Sequence, residues 1–109
     1  MTTRATIQEF VDALVREFRP MRVILFGSHA RRGAGSNSDV DLLVLLPFRG
    51  KACRKALEIL QRLDPPFPID LVVRTPEQFE KRLREGDFFM QRVEEEGIVL
   101  YEGHHARVG

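Results

Sequence analysis

The run from Val40 to Leu46 constrains the fold of this 109-residue chain more than any other stretch. All of its residues except Asp41 are aliphatic, and Pro47 follows directly. A continuous apolar run is typical of a strand with both faces covered, whereas a half-exposed strand alternates apolar with polar residues. The run therefore predicts a central strand of a sheet, ended by the proline.

The rest of the chain predicts elements that surround this strand. Helices are predicted from apolar residues at helical spacing and from capping residues, at 6–18, 51–63, 76–85 and 88–96. Further strands are predicted from short β-branched and aromatic runs, at 22–26, 67–73 and 98–101. The expected fold class is α+β (α/β-like), a small mixed sheet with helices packed on it. One domain is expected to span residues 1–109, with 103–109 as a frayed tail.

Two of these helices carry finer predictions. The pattern Thr6–Glu9 matches a capping box and predicts the start of the first helix. In the second helix one face is predicted to be apolar and to pack in the core, made of Cys53, Ala56, Leu57, Leu60 and Leu63.

Composition narrows the class of protein. The 17 basic and 16 acidic residues leave a net charge of +1, whereas a nucleic-acid-binding module normally shows a clear basic excess. The single cysteine cannot form an internal disulfide, which fits a reducing compartment. No apolar run approaches the ~20 residues of a membrane span. We therefore expect a cytoplasmic protein that binds neither membrane nor nucleic acid.

Three aspartates interrupt or flank the predicted buried strands. Asp39 and Asp41 are two residues apart, so their side chains leave the same face, with Cα atoms roughly 6–7 Å apart. Asp70 lies within the apolar run 69–73, where an unmatched charge is costly. If the strand that starts at Val40 and the strand that contains Asp70 are neighbours, the three carboxylates are expected to meet at one site. Such a site suits Mg²⁺, which prefers oxygen ligands and shares them with substrate phosphates.

A small-residue turn, Gly27-Ser28, follows the strand at 22–26. Glycine permits close approach of the backbone, and serine offers an amide and a hydroxyl to phosphate oxygens. For this turn to face Asp39, the strand at 22–26 and the strand at 40–46 must run antiparallel if they are neighbours.

Each feature also has a plain structural explanation: a simple turn, a surface pair of acids, or a salt bridge between Asp70 and an arginine. Their combination at fixed spacing is more specific.

The combination resembles a known family. Gly27-Ser28, ten residues, and then Asp39-Val40-Asp41 is similar to the signature of the nucleotidyltransferase superfamily typified by DNA polymerase beta. The chain more closely resembles the minimal nucleotidyltransferase (MNT) domains of prokaryotes. The similarity continues through 38–44 and 69–79 to 97–102, so nearly the whole chain is covered. The resemblance implies a polymerase beta-like nucleotidyltransferase fold.

The resemblance also implies catalytic and metal-binding roles for the acids. Asp39 and Asp41 would bind Mg²⁺, with two ions expected, and Asp70 would complete the site and help to deprotonate the acceptor hydroxyl. The nucleotide, ATP or another NTP, would be held by residues around the turn, namely Gly27, Ser28, Arg31 and Ser38.

The remaining turn residues leave alternatives open. Arg31 would neutralise phosphate charge or form an ion pair. His29 would donate to a phosphate or face solvent as a turn residue, and the second is the expected role. Arg32 departs from the family pattern, because many relatives have glycine there. It would contact phosphate, or the turn is shifted by one residue.

The implied reaction is Mg²⁺-dependent transfer of a nucleoside monophosphate, AMP from ATP, to a hydroxyl. MNT proteins are often encoded beside HEPN-domain proteins, and some adenylylate a toxin tyrosine. The resemblance thus implies a HEPN-like protein partner, and a homo-oligomer is also open. Two alternatives stand beside this prediction: a non-catalytic nucleotide-binding antitoxin, and a small-molecule nucleotidyltransferase. The second ranks lower because the related aminoglycoside enzymes carry an additional helical domain.

Overall fold

The computed structural model describes residues 2–31 and 38–103. The helices of this part are α1 Arg4–Phe18, α2 Ala52–Leu63, α3 Pro76–Arg84 and α4 Phe88–Glu96. Its strands are β1 Arg22–Phe26, β2 Val40–Leu45, β3 Ile69–Arg74 and β4 Ile98–Glu102, and a 3₁₀ turn follows β1 at Gly27–Ala30. The predicted order of elements is confirmed. Across the described ranges, no helix is both long enough and apolar enough to cross a membrane.

The strands form a mixed sheet in the order β3-β2-β1-β4. β2 runs antiparallel to β1 and parallel to β3, and β4 pairs antiparallel with the other side of β1. The predicted central position of β2 and its antiparallel pairing with β1 are both confirmed. α2 supplies the crossover that two parallel neighbours require. This topology brings the end of β1 and the starts of β2 and β3 to one end of the sheet.

Each face of the sheet carries a pair of helices. Successive side chains of a strand point to opposite faces, so β2 divides its apolar residues between two cores. Val40, Leu42 and Val44 pack with α1 and α2, while Leu43 and Leu45 pack with α3 and α4. Both faces of β2 are therefore covered, which is why its run is continuously apolar. By the same alternation, Asp41 leaves β2 on the α3/α4 face.

The start of α1 and the buried face of α2 differ from prediction. The hydroxyl of Thr3 accepts the backbone N–H of Thr6, so α1 begins at Arg4 and the capping box predicted from Thr6 is wrong. On α2 the predicted residues Ala56, Leu60 and Leu63 pack against the core, but the fully buried residue is Ile59, and Cys53 and Leu57 are exposed, Leu57 by 54%. The apolar stripe is rotated because α2 packs on both α1 and β3, so Cys53 is not a core residue.

Other local predictions are confirmed. Thr75 and Gln78 form a reciprocal capping box at the start of α3, and the Asp87 carboxylate accepts the N–H of Met90 at the start of α4. At the start of the tail that is predicted to fray, the N–H of Gly103 donates to the carbonyl of Met21 over 2.8 Å, and the fraying itself stays a prediction. Residues 104–109 lie outside the described ranges.

Candidate active site

The three aspartates lie at the end of the sheet where β1 stops and β2 and β3 start. Asp41 is the register partner of Phe26 on one side and of Asp70 on the other. Asp39 directly precedes β2 and is exposed, as is Asp70, whereas Asp41 is half-buried. Register partners share a face of the sheet, so Asp70, Asp41 and Phe26 form one row on the α3/α4 face.

The carboxylates of this site interact electrostatically. Burial raises the pKa of Asp41, the negative charges of Asp70 and Asp39 raise it further, and nearby His29 partly opposes the shift. In the described ranges none of the three carboxylates forms an ion pair with a lysine or arginine. The salt bridge considered for Asp70 is therefore absent from this part of the chain. Three like charges that have no lysine or arginine partner among the described residues favour binding of a cation.

Gly27 packs directly against Asp41. Its φ is +73°, a left-handed conformation that side chains other than glycine rarely adopt. A Cβ at this position would overlap Oδ2 of Asp41 and lie 3.0 Å from its Cγ. Both facts require glycine here, and they place the backbone of the turn against the carboxylate at the centre of the row.

His29 links the turn to the segment that carries the acids. Its Nε2 lies 2.9 Å from the carbonyl oxygen of Ser38, and since a carbonyl only accepts, Nε2 must carry the hydrogen. The carbonyl of His29 in turn accepts from the guanidinium of Arg4 at 3.3 Å. His29 is half-buried, so the prediction of a solvent-facing residue is wrong. Sequence spacing alone carried no signal for this contact.

The donor set fits a divalent metal ion that shares its ligands with substrate and water. Residues 2–31 and 38–103 contain no group of three or more His, Cys, Asp or Glu side chains already spaced to hold a metal ion. Mg²⁺, however, is usually bound through one or two carboxylates together with water and substrate phosphates. Asp41, with its like-charged neighbours and its glycine contact, fits that smaller requirement, and exposed Asp39 can supply a second oxygen ligand.

The other predicted nucleotide-binding residues surround the turn. Ser28 is half-buried and its carbonyl accepts the N–H of Arg31 over 3.1 Å. Arg31 is exposed, and Ser38 is half-buried and held through its carbonyl by His29. Arg32 lies outside the described residues, so the alternatives for it stay predictions.

A cavity adjoins the turn on the α3/α4 face and was missed by the sequence reasoning. Its volume is about 290 Å³. It is lined by residues of β1, the 3₁₀ turn and α4, namely Phe26, Gly27, Ala30, Arg31, Phe89, Arg92, Val93 and Glu96. The sequence signal that could have pointed to it is the aromatic pair Phe88-Phe89 at the start of α4, both of which remain exposed.

The sequence of this chain is similar to those of known nucleotidyltransferases. A family model described as a nucleotidyltransferase domain matches residues 7–100. A Methanocaldococcus jannaschii protein, named as a candidate protein adenylyltransferase, is 34% identical over 107 residues. That alignment covers 93% of this chain and 100% of the relative.

Solved structures share the fold. A candidate nucleotidyltransferase from Sulfolobus solfataricus is 19% identical, with a TM-score of 0.64 over 93% of this chain and 81% of its own. An MNT antitoxin in complex with tri-AMPylated HEPN toxin of Shewanella oneidensis is 20% identical, with a TM-score of 0.54 over 96% and 77% of the two chains. A toxin–antitoxin structure with AMP-PNP is 24% identical, with a TM-score of 0.56 over 91% and 76%.

Proposed function

The chain belongs to the nucleotidyltransferase domain family, and from that premise we propose that it transfers AMP from ATP, with Mg²⁺, to a hydroxyl of a partner protein. The observation that carries the proposal is the row of acids. Asp70 and Asp41 are register partners, and Asp41 contacts the glycine of the turn. Two-metal nucleotidyl transfer uses carboxylates that flank one reacting phosphate in this way.

In the proposed mechanism each residue of the site has a distinct role. Asp39 and Asp41 would hold Mg²⁺, which when bound would supply positive charge to the phosphate oxygens. Gly27 lets the backbone come close to the phosphates, because no side chain intervenes. We assign to Asp70, which is exposed beside Asp41, the role of accepting the proton of the acceptor hydroxyl. The acceptor oxygen bonds to the α-phosphorus as the bond to the β-phosphate oxygen breaks, and pyrophosphate leaves.

A protein acceptor is supported by the relatives. The Methanocaldococcus jannaschii protein is named for adenylyl transfer to protein, and this chain covers its whole length. Structures with the same fold are MNT antitoxins in complex with HEPN toxins, one of them AMPylated. We therefore propose a HEPN-like partner for this chain as well.

The proposal is tested by incubating the protein with Mg-ATP and the product of the neighbouring gene, followed by intact-mass analysis. An AMP adduct on the partner is expected with the parent protein and none with Asp39→Asn/Asp41→Asn. Asp12→Asn is the matched control, because Asp12 is an exposed carboxylate of α1 that bonds only to Gln8 among the described residues. If no adduct forms and the double variant still neutralises its partner, the protein is a binding antitoxin rather than an enzyme.

A further inference from the structure

We propose that the cavity between the 3₁₀ turn and α4 binds the purine base of the nucleotide, with Phe89 as its stacking surface. The inference rests on the nucleotidyl transfer proposed above. It adds the part of the site that distinguishes one nucleoside triphosphate from another.

The cavity opens on the same face of the sheet as the acids. Phe26 is the register partner of Asp41, so the two side chains leave neighbouring strands on one face. Phe26 also lines the cavity. The cavity therefore begins at the cross-strand neighbour of Asp41, the carboxylate at which the α-phosphate is expected.

Gly27 joins the two sites. Its Cα faces the Asp41 carboxylate, and the same residue lines the cavity. A Cβ at this position would overlap the Asp41 carboxylate. Because glycine has no Cβ, the backbone of the turn lies against that carboxylate, and a nucleotide with its phosphates at the turn can place its ribose beside Gly27 and its base in the cavity.

The walls suit a flat aromatic ring. Phe89 packs edge-to-face on Phe26, with ring centroids 5.4 Å apart, and remains 45% exposed, so Phe89 still offers surface for stacking. Ala30 and Val93 complete an apolar lining. A volume of about 290 Å³ lies just below the range of small-molecule pockets, which is about 300–1,000 Å³. The size therefore fits a base better than a whole nucleotide.

The polar groups at the rim fit a base better than a phosphate chain. Of the two arginines in the lining, Arg31 directly follows the turn that would hold the phosphates, whereas Arg92 is paired with Glu96 at 3.3 Å, so the charge of Arg92 is already compensated. Together the pair presents donors and an acceptor, and the edges of purines carry both kinds of group. The phosphates are better placed at Gly27 and Ser28, beside the acids that would share a cation with them.

The test compares Phe89→Leu with Phe88→Leu. Phe88 is the adjacent aromatic residue, 74% exposed and outside the cavity lining, so its replacement controls for loss of an exposed ring on α4. Leucine keeps an apolar contact with Phe26 but has no flat surface, and circular dichroism verifies folding. Affinities are measured by calorimetry for Mg-ATP, Mg-GTP, Mg-CTP, Mg-UTP and inorganic tripolyphosphate.

The parent protein is expected to bind the purine triphosphates more tightly than the pyrimidine ones or tripolyphosphate. Phe89→Leu should weaken the binding of Mg-ATP and Mg-GTP by roughly 5- to 150-fold, the range that loss of one stacked base produces, and leave the affinity for tripolyphosphate unchanged. Phe88→Leu should leave all five affinities unchanged. Photolysis with 8-azido-ATP should label α4 in the parent protein.

Other results would overturn the proposal. Equal weakening of tripolyphosphate and ATP by Phe89→Leu would mean that the cavity holds phosphates. Equal affinity for all four triphosphates, unaffected by Phe89→Leu, would mean that no base binds there, while nucleotide binding itself would stand. Affinity for Mg-ATP that survives Asp39→Asn/Asp41→Asn would instead remove the proposed function, and the base site with it.

Discussion

Gly27→Ala is the substitution whose cost follows most directly from the geometry of the site. An L-residue at φ +73° costs about 1–2 kcal/mol relative to glycine. The new methyl group also overlaps the Asp41 carboxylate, which must leave its preferred rotamer at about 0.5–1.5 kcal/mol. The free energy of unfolding should therefore fall by about 1.5–3.5 kcal/mol, and the melting temperature by roughly 6–28 °C for a chain of this size.

Gly86→Ala provides a matched control for backbone strain. Its φ is +81°, close to that of Gly27, but no heavy atom lies within 4 Å of the position that a Cβ would take there. Gly86→Ala should thus cost only about 1–2 kcal/mol. In an Asp41→Ala background the overlap is relieved, so the cost of Gly27→Ala should fall to that of the control. Urea unfolding followed by circular dichroism measures each of these variants, since the chain has no tryptophan.

The same variants should differ in ligand binding. Because Gly27→Ala displaces Asp41, it is expected to lower the affinity for Mg-ATP at least tenfold, whereas Gly86→Ala should leave the affinity for Mg-ATP unchanged. If the two alanine variants unfold with equal free energies and bind Mg-ATP equally well, then Gly27 does not press on Asp41. The packing of the turn against the acids would then be refuted.

Three further substitutions test separate parts of the structure. Because the pKa of Asp41 is raised, its ionised form opposes folding, so Asp41→Asn should raise the unfolding free energy at pH 7 without metal. That gain should vanish in titrations below pH 3.8, the ordinary pKa of the group; a gain that persists there contradicts the charge argument. His29→Ala removes the hydrogen bond to Ser38, so the free energy of unfolding measured in urea should fall by about 0.5–1.5 kcal/mol. Calorimetry should show weaker binding of Mg-ATP to the same variant. Ile59→Ala should lower the free energy of unfolding in urea by about 2–5 kcal/mol, whereas Leu57→Ala, at an exposed position, should lower it by roughly 0.5 kcal/mol or less. Similar losses for the two variants would argue against the observed buried face of α2.

The features predicted correctly from sequence depend on strong local patterns. The continuous run of β2 predicted a central strand because only a strand covered on both faces can be apolar throughout. Asp39 and Asp41 stood out because charge is costly beside such a strand. The antiparallel neighbour then followed from requiring the Gly27 turn to face them.

The features that were missed depend on contacts between distant segments. Helical spacing allowed two overlapping apolar stripes on α2, and only packing against α1 and β3 selects the one with Ile59 over the one with Cys53. The bond from His29 to Ser38 depends on where the chain returns after the turn. The cavity needs Phe26 and Phe89, which are far apart in sequence and adjacent only in the fold.

The strand order has a consequence for kinetics. Asp70 is exposed on β3, which within the described chain pairs only with β2, while the proposed base cavity lies beyond β1 on the opposite flank of Asp41. The acceptor and the nucleotide would therefore reach the α-phosphate from opposite flanks, and neither would block the path of the other. This arrangement predicts a sequential mechanism in which both substrates are bound together, with initial-rate lines that intersect when both substrates are varied. Parallel lines would instead indicate a covalent nucleotidyl-enzyme intermediate.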